Sequence, residues 1–213
     1  MKLYGRLTSF NVQKVLWLLE ELALDFEHVQ VGGRFGGLDD ADFEKLNPNK
    51  KVPVLIDGER VIWESHTILR YLVAEYGQTS LYSSCPYHRS LYERWMDWTH
   101  TVFQPAFMAV FWGYYRMPPS KRDMPVIEEK LLECQQYLST LEKELAGREY
   151  LVGSNFSLAD LTAGAVIYRL TEQGLEIELP PSVAQWFDRL KQRKGYQKYI
   201  MSDFTELRAR EDY

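Results

Sequence analysis

The chain has 213 residues, of which 46% are hydrophobic and 26% charged, with a formal net charge of -5; this suits one large domain or two compact ones of roughly 80 and 130 residues, and it excludes global disorder. Acidic residues outnumber basic ones and no block of five or six consecutive basic residues occurs, so the long-range field gives no reason to expect nucleic acid or an anionic membrane as a partner. The N-terminus passes at once into strand-like sequence, and the apolar run Val15 to Leu24 is broken by Glu20 and Glu21, so neither a signal peptide nor a membrane span is expected.

Taken in order, Lys2 to Tyr4 reads as a short strand. Asn11 to Leu24 follows with Val12, Val15, Leu16, Leu19 and Leu22 at the 3-and-4 spacing of a helix face. Phe26 to Val31 reads as a second strand, giving a βαβ unit. Gly32, Gly33, Gly36 and Gly37 break the chain without GxGxxG spacing and without opening a long helix, so they read as a mobile loop and not as a dinucleotide fingerprint. A short helix is expected around Asp40 to Leu46. Pro53 to Ile56 and Arg60 to Trp63, joined by Asp57-Gly58, carry the signature of a β-hairpin. Ser65 then opens a helix with Ile68, Leu69, Leu72, Val73 and Tyr76 on one side, and Gly77 is expected to close it as a C-terminal cap.

Residues Gly77 to Tyr87 are rich in Gly, Ser, Pro and Tyr and lack periodicity, so 78–87 reads as a linker between a first domain, 1–77, and a second, 88–213. No convincing strand lies beyond it. His88 to Tyr115, Lys121 to Leu145, Leu158 to Glu172 and Val183 to Gln192 each read as helical, which is the pattern of a helical bundle. Phe156-Ser157-Leu158-Ala159-Asp160-Leu161 combines a Ser cap, an acid three residues on and flanking apolar residues, a capping box with a hydrophobic staple and a purely structural device. The two cysteines, Cys85 and Cys134, have no CxxC spacing, which suits a reducing compartment and points to the cytoplasm. His28, His66, His88 and His100 show no metal-ligand spacing, and no metal is expected.

Ser9-Phe10-Asn11-Val12-Gln13-Lys14-Val15, then Asn47-Pro48 with Val52-Pro53-Val54-Leu55, then Glu64-Ser65 at a helix start resemble, in order and spacing, the glutathione transferase family, and the first is similar to the serine motif of its phi and theta-like classes. The segment Phe156 to Asp160 resembles the structural box of the family's helical domain. The likeness spans nearly the whole chain and is strongest over residues 1–77. It implies an α/β thioredoxin-like domain holding glutathione, followed by an all-α helical-bundle domain that supplies the second substrate's pocket. It also implies a homodimer, and a small apolar electrophile as the acceptor of the glutathione thiol.

Within that resemblance, Ser9 is the expected activator. A free thiol titrates near about 8.5 and only the thiolate attacks. Lowering its pKa by about two units needs roughly 2.7 kcal/mol. A hydrogen bond to an anion supplies about 1.5–3 kcal/mol and a helix N-terminus about 0.3–1 kcal/mol, so a Ser9 hydroxyl ahead of a helix suffices without a His or Asp partner. An ordinary helix cap is the competing reading of Ser9, Thr8 is the neighbouring hydroxyl, and Asn11 is expected to orient the sulfur. Tyr4, inside the first strand, reads as packing. The resemblance further implies a cis bond before Pro53 that lets Val52 pair through its main chain with the cysteinyl unit. Ser65 is expected to take the γ-glutamyl carboxylate and Glu64 the adjacent ammonium. Lys51 is expected to meet the glycyl carboxylate, with a plain surface lysine as the alternative; Arg34 is a weaker candidate.

Trp95, Trp98, Phe103, Phe107, Phe111, Trp112 and Tyr115 make the first long helix of the second half aromatic, and most belong to core or interface. Phe107, Phe111 and Tyr115, with Phe204 from the C-terminal stretch, are the expected lining of the second-substrate pocket. Glu93 or Asp97 is the candidate for reaching a partner subunit's glutathione. The rival functions are glutathione-dependent reduction of disulfides or peroxides on the same fold, and a non-catalytic binding protein. The absence of Cys at position 9 argues against the cysteine-dependent thiol-transfer classes.

Overall fold

Four short strands form one mixed sheet in the order β2-β1-β3-β4. The computed structural model describes residues 1–77 and 81–210; residues 78–80 of the expected linker, and 211–213, lie outside the described residues. β1 (Lys2–Tyr4) pairs in parallel with β2 (Glu27–Val29) across α1 (Phe10–Glu21), and antiparallel with β3 (Val54–Asp57), which turns through Gly58 into β4 (Arg60–Trp63). Between β2 and β3 lie a 3-10 turn at Gly33–Phe35 and the short helix α2 (Ala41–Leu46). The unit closes with α3 (Ser65–Tyr76). This is the β-α-β, α, β-β-α order of a thioredoxin-like fold.

α1 is buried around most of its circumference: Phe10 and every residue from Val12 to Leu19 are removed from solvent. Apolar side chains buried to this degree contribute about 1.5–3 kcal/mol each. The periodicity predicts a one-sided amphipathic helix, and the difference arises because α3 and the segment 194–202 both pack on α1. Val12 also sits against Gly5 at the end of β1, where a Cβ would come within 2.4 Å of Val12 Cγ2, so only glycine fits. α1 ends three residues earlier than its periodicity predicts. Ala23 turns into the left-handed region, φ 51°, and the Leu24 N–H returns to the Leu19 carbonyl at 3.0 Å.

Gly77 ends α3, but not as a left-handed cap. Its φ is -87°, and its requirement is space: a Cβ would lie 2.6 Å from the Val73 carbonyl oxygen. A polar cluster pins α3 to the hairpin, with Tyr71 and Tyr76 hydroxyls donating to Asp57 Oδ2 at 2.6 and 2.5 Å and Arg60 reaching Tyr71 and Glu75.

The rest of the chain is helical: α4 (Pro86–Trp98), α5 (Gln104–Val110), α6 (Met124–Leu145), α7 (Leu158–Glu172) and α8 (Pro181–Lys191). α4 and α5 lie on one helical path that widens into π turns at Thr99–Phe103 and Phe111–Arg116. Pro105 has no N–H to give the carbonyl four residues back, and the Gln104 N–H bonds Thr99 O, five residues back. α6 starts at Met124, later than expected, because the Asp123 carboxylate accepts the Val126 N–H and caps it.

By contacts the chain falls into one unit of Met1–Gly77 with Lys194–Ser202, and a second of residues 81–193 with 203–210. The sequence reading assigns all of 88–213 to the helical domain; instead 194–202 covers α1. Tyr196 meets Trp17 edge-on at 4.8 Å, Lys198 bonds Glu20 at 2.8 Å, and Gln13 donates to Ser202 Oγ at 2.9 Å. These contacts link residues nearly the whole chain apart, which local periodicity cannot register. Leu81 accepts the Leu158 N–H, tying the described part of 78–87 to the second unit.

The capping box at Ser157 is present and extends further than its motif. The fully buried Asp160 carboxylate accepts the Ser157 N–H and hydroxyl at 3.0 and 2.9 Å, the Leu151 N–H at 2.8 Å and Trp186 Nε1 of α8 at 3.0 Å. Burial pushes its pKa up to about 6 against the pull of these donors. Each buried donor left without an acceptor costs about 1–3 kcal/mol. Asp160→Ala is therefore expected to destabilise the chain by about 3 kcal/mol or more. The expected drop in thermal midpoint is read by calorimetry or Trp fluorescence, and an unchanged midpoint would show that these donors find other partners.

Candidate active site

Ser9 stands at the head of α1 with φ -74° and ψ 119°, the extended conformation of a helix cap, yet its side chain makes no capping hydrogen bond. Its main chain is held at both ends: Ser9 N–H donates to Arg6 O and Ser9 O accepts the Gln13 N–H, each at 3.0 Å. The main chain that carries the hydroxyl is therefore held in place, the hydroxyl is not consumed by the cap, and the side chain is part-exposed. Thr8 is buried and Asn11 part-exposed. Tyr4 lies tilted against Phe43 with ring centroids 6.3 Å apart, in keeping with packing.

The second motif forms a loop ordered by Asn47. This buried side chain donates from Nδ2 to the Lys51 carbonyl at 2.8 Å and accepts the Asn49 N–H at 3.0 Å, while its own carbonyl accepts the Lys50 N–H at 2.9 Å. The loop delivers Lys51, Val52 and Pro53 to the start of β3. The Val52-Pro53 peptide is cis. Val52 lies just before β3, outside its pairing with β1, and its main-chain groups make no backbone hydrogen bond among the described residues. The Lys51 side chain is exposed.

Glu64 and Ser65 form the turn from β4 into α3. Glu64 adopts φ 70° and ψ 117°, unusual for a residue with a side chain, and caps nothing; its carbonyl accepts the Ile68 N–H at 2.9 Å. Holding a residue in such a region costs about 1–3 kcal/mol and is commonly found at ligand sites. Its carboxylate is exposed, whereas Ser65, the first residue of α3, is buried.

One element of this neighbourhood escapes the sequence reading. Lys14, on the face of α1 toward α3, is fully buried, with Nζ 3.1 Å from His66 Nε2 and 5.0 Å from the Phe10 ring centroid. Burial lowers the ammonium's pKa to about 7, and the Glu64 carboxylate acts in the opposite direction. The only sequence signal is a lysine inside an otherwise apolar run, which reads equally well as a solvent-facing position.

The four aromatic candidates all lie in the helical unit and are buried together. Phe107 and Phe111 are 5.8 Å apart, Phe111 and Tyr115 stack at 5.2 Å with planes 15° apart, and Phe204 lies 5.0 Å from Tyr115 and 6.0 Å from Phe111. The buried Arg169 guanidinium sits over the Phe111 and Phe204 rings at 5.5 and 5.2 Å. Burial raises the Tyr115 hydroxyl above its ordinary pKa. Elsewhere, the Glu93 carboxylate is engaged by the Tyr82 hydroxyl and by Arg89, and Asp97 is exposed. Arg34 is exposed and rests on Phe35, within a glycine-rich loop closed by the Gly32 N–H on Gly36 O at 2.7 Å.

Residues 1–74 match the family model of the glutathione S-transferase N-terminal domain, and residues 103–194 that of its C-terminal domain. The glutathione S-transferase GstB of Escherichia coli K12 is 38% identical over 201 residues, spanning 93% of this chain and 97% of that protein. Glutathione S-transferase 3 of Zea mays is 31% identical, spanning 94% and 93%. The crystal structure of a theta class glutathione S-transferase from Xanthomonas axonopodis pv. citri, with glutathione bound, superimposes with a TM-score of 0.90 at 39% identity, covering 95% of this chain and 97% of that one. The chain belongs to the glutathione S-transferase family.

Proposed function

We propose that this family member conjugates glutathione to small apolar electrophiles, with Ser9 as the thiolate stabiliser. The observation that carries the reading is the Ser9 hydroxyl, carried on a held main chain at the head of α1 and absent from the cap it would ordinarily serve. It donates to the glutathione sulfur once the thiol proton has left, and the positive end of α1 adds to the stabilisation. Asn11, one residue into the helix, orients the sulfur. The thiolate then attacks an electrophilic carbon, a carbon–sulfur bond forms and the leaving group departs with its electron pair.

The peptide is gripped along its length. Val52, with main-chain groups outside the strand pairing, takes the cysteinyl unit as an added strand would. Ser65 at the start of α3 receives the γ-glutamyl carboxylate, as helix N-termini do, and the exposed Glu64 pairs with the ammonium beside it. Lys51, also exposed, meets the glycyl carboxylate. Tyr115 and Phe204 present the apolar wall for the electrophile, with the fully buried Phe107 and Phe111 packed behind them. The active form is a homodimer, working in the cytoplasm in the chemistry of detoxification. Both cysteines are free, and burial pushes the Cys134 thiol up to about 12, keeping it unreactive, as befits a reducing compartment.

Ser9→Ala is expected to lower turnover of an aryl halide by about 10- to 100-fold, the worth of one hydrogen bond to an anion, while glutathione still binds. The thiol of bound glutathione, titrated by its ultraviolet absorbance, should move toward its value in free solution. An unchanged rate with binding intact would overturn the serine mechanism, and faster turnover of a small disulfide than of the aryl halide would favour the reductase. Asn47→Ala, which unties the Lys51–Pro53 loop, is expected to raise the KM for glutathione several-fold with kcat at saturation nearly kept. Steady-state kinetics at varied glutathione decides this.

A further inference from the structure

A fully buried lysine beside a binding turn calls for an explanation, because taking an ammonium out of water costs several kcal/mol and an apolar residue of the same shape is commonly as stable or more so. Lys14 extends from α1 to α3, and its Nζ lies 3.1 Å from His66 Nε2. An ammonium has only donors, so His66 accepts at Nε2. His66 follows Ser65 directly and belongs to the first turn of α3. The Lys14 charge is thus set behind the helix start assigned to the ligand's carboxylate, on the side away from solvent.

We propose that Lys14 is a positioning residue for glutathione: through His66 it places a buried positive charge behind the N-terminus of α3, strengthening that end's hold on the γ-glutamyl carboxylate. The proposal rests on the reading of Glu64 and Ser65 as the γ-glutamyl site. On α3, Glu64 acts on Lys14 directly and Arg70 lies one turn beyond His66. On the segment 194–202, Lys194, Lys198 and Tyr199 act on Glu20, nearly two turns further along α1, and Tyr196 packs on Trp17. On α1 itself, Glu21 accepts from Trp17.

With its pKa lowered to about 7 by burial, Lys14 is charged below neutrality and loses its proton as pH rises through 7. The hold on the carboxylate is therefore full in weak acid and weakens above pH 7. S-hexylglutathione is the suitable probe, because its sulfur is alkylated and does not ionise. In the intact protein its affinity should fall several-fold between pH 6 and 8. Lys14→Met, which keeps the stem and removes the charge, should bind several-fold more weakly at pH 6 and show a flatter profile that lacks the share of the pH dependence carried by Lys14. Its KM for glutathione should rise with kcat nearly kept, and its thermal midpoint should not fall. Lys14→Arg, charged throughout, should restore tight binding without the loss above pH 7.

Two controls separate the γ-glutamyl site from the role of Lys14. If Glu64→Gln and Ser65→Ala both leave S-hexylglutathione binding unchanged, the γ-glutamyl reading itself is wrong. If those variants weaken binding while Lys14→Met matches the intact protein at every pH, the Lys14 proposal alone is overturned. A Lys14→Met protein that loses stability and affinity together, with the pH dependence of binding retained, would likewise overturn it and leave Lys14 as packing.

Discussion

An ammonium sealed between two helices ties their positions together, because the charge stays buried only while its acceptor and the aromatic ring beside it stay in place. Lys14 couples α1 to α3 in this way. α1 begins at Ser9 and α3 begins at the Glu64–Ser65 turn, so the two helix starts that the family chemistry uses are cross-braced, one turn below the tip of α1 and within the first turn of α3. The sheet alone would leave that spacing to two connecting loops. Apolar contact between the helices adds energy but little directional demand, whereas a 3.1 Å nitrogen–nitrogen contact fixes both distance and approach.

Around this brace the chain accepts local costs where ligand chemistry requires them. Ser9 forgoes its cap, worth about 1 kcal/mol in an ordinary helix, and Glu64 holds a positive φ. Both are offset nearby by groups with no part in chemistry. Asp57 gathers two tyrosine hydroxyls that clamp the hairpin to α3, and Asn47 ties its loop through side-chain and main-chain bonds. The helical unit has its own anchor in Asp160, which joins the Ser157 cap, the Leu151 backbone and α8 at one carboxylate.

The architecture was legible where the signal is local. Two short runs joined by Asp57-Gly58 marked the hairpin, apolar spacing on one side marked α1 and α3, and Ser157 to Asp160 marked a cap that the structure contains. Ser9, Val52, Glu64 and Ser65 came from motif order, which reports a family and not a geometry. What escaped depends on contacts far apart in sequence. Lys14 looks like any helical lysine until His66 is placed beside it. The segment 194–202 falls, by its place in the chain, within the helical domain 88–213 of the sequence reading, since nothing in it names α1 as its neighbour. Asp160 shows its bond to Ser157 in the motif, but not those to Leu151 and Trp186. The π turn at Thr99–Phe103 needed the consequence of Pro105 to be followed into the preceding carbonyls.

The placement of 194–202 bears on how the protein is made. Ribosomal synthesis delivers the whole of the first sheet and its helices before the stretch that covers α1 has been polymerised. Trp17, fully buried in the finished chain against Tyr196, must wait for some 180 further residues to emerge before its final neighbour arrives. The N-terminal unit is therefore begun first and completed only after the body of the helical unit, 81–193, has been made. A nascent chain halted before residue 194 leaves an aromatic face of α1 uncovered, a surface suited to chaperone capture.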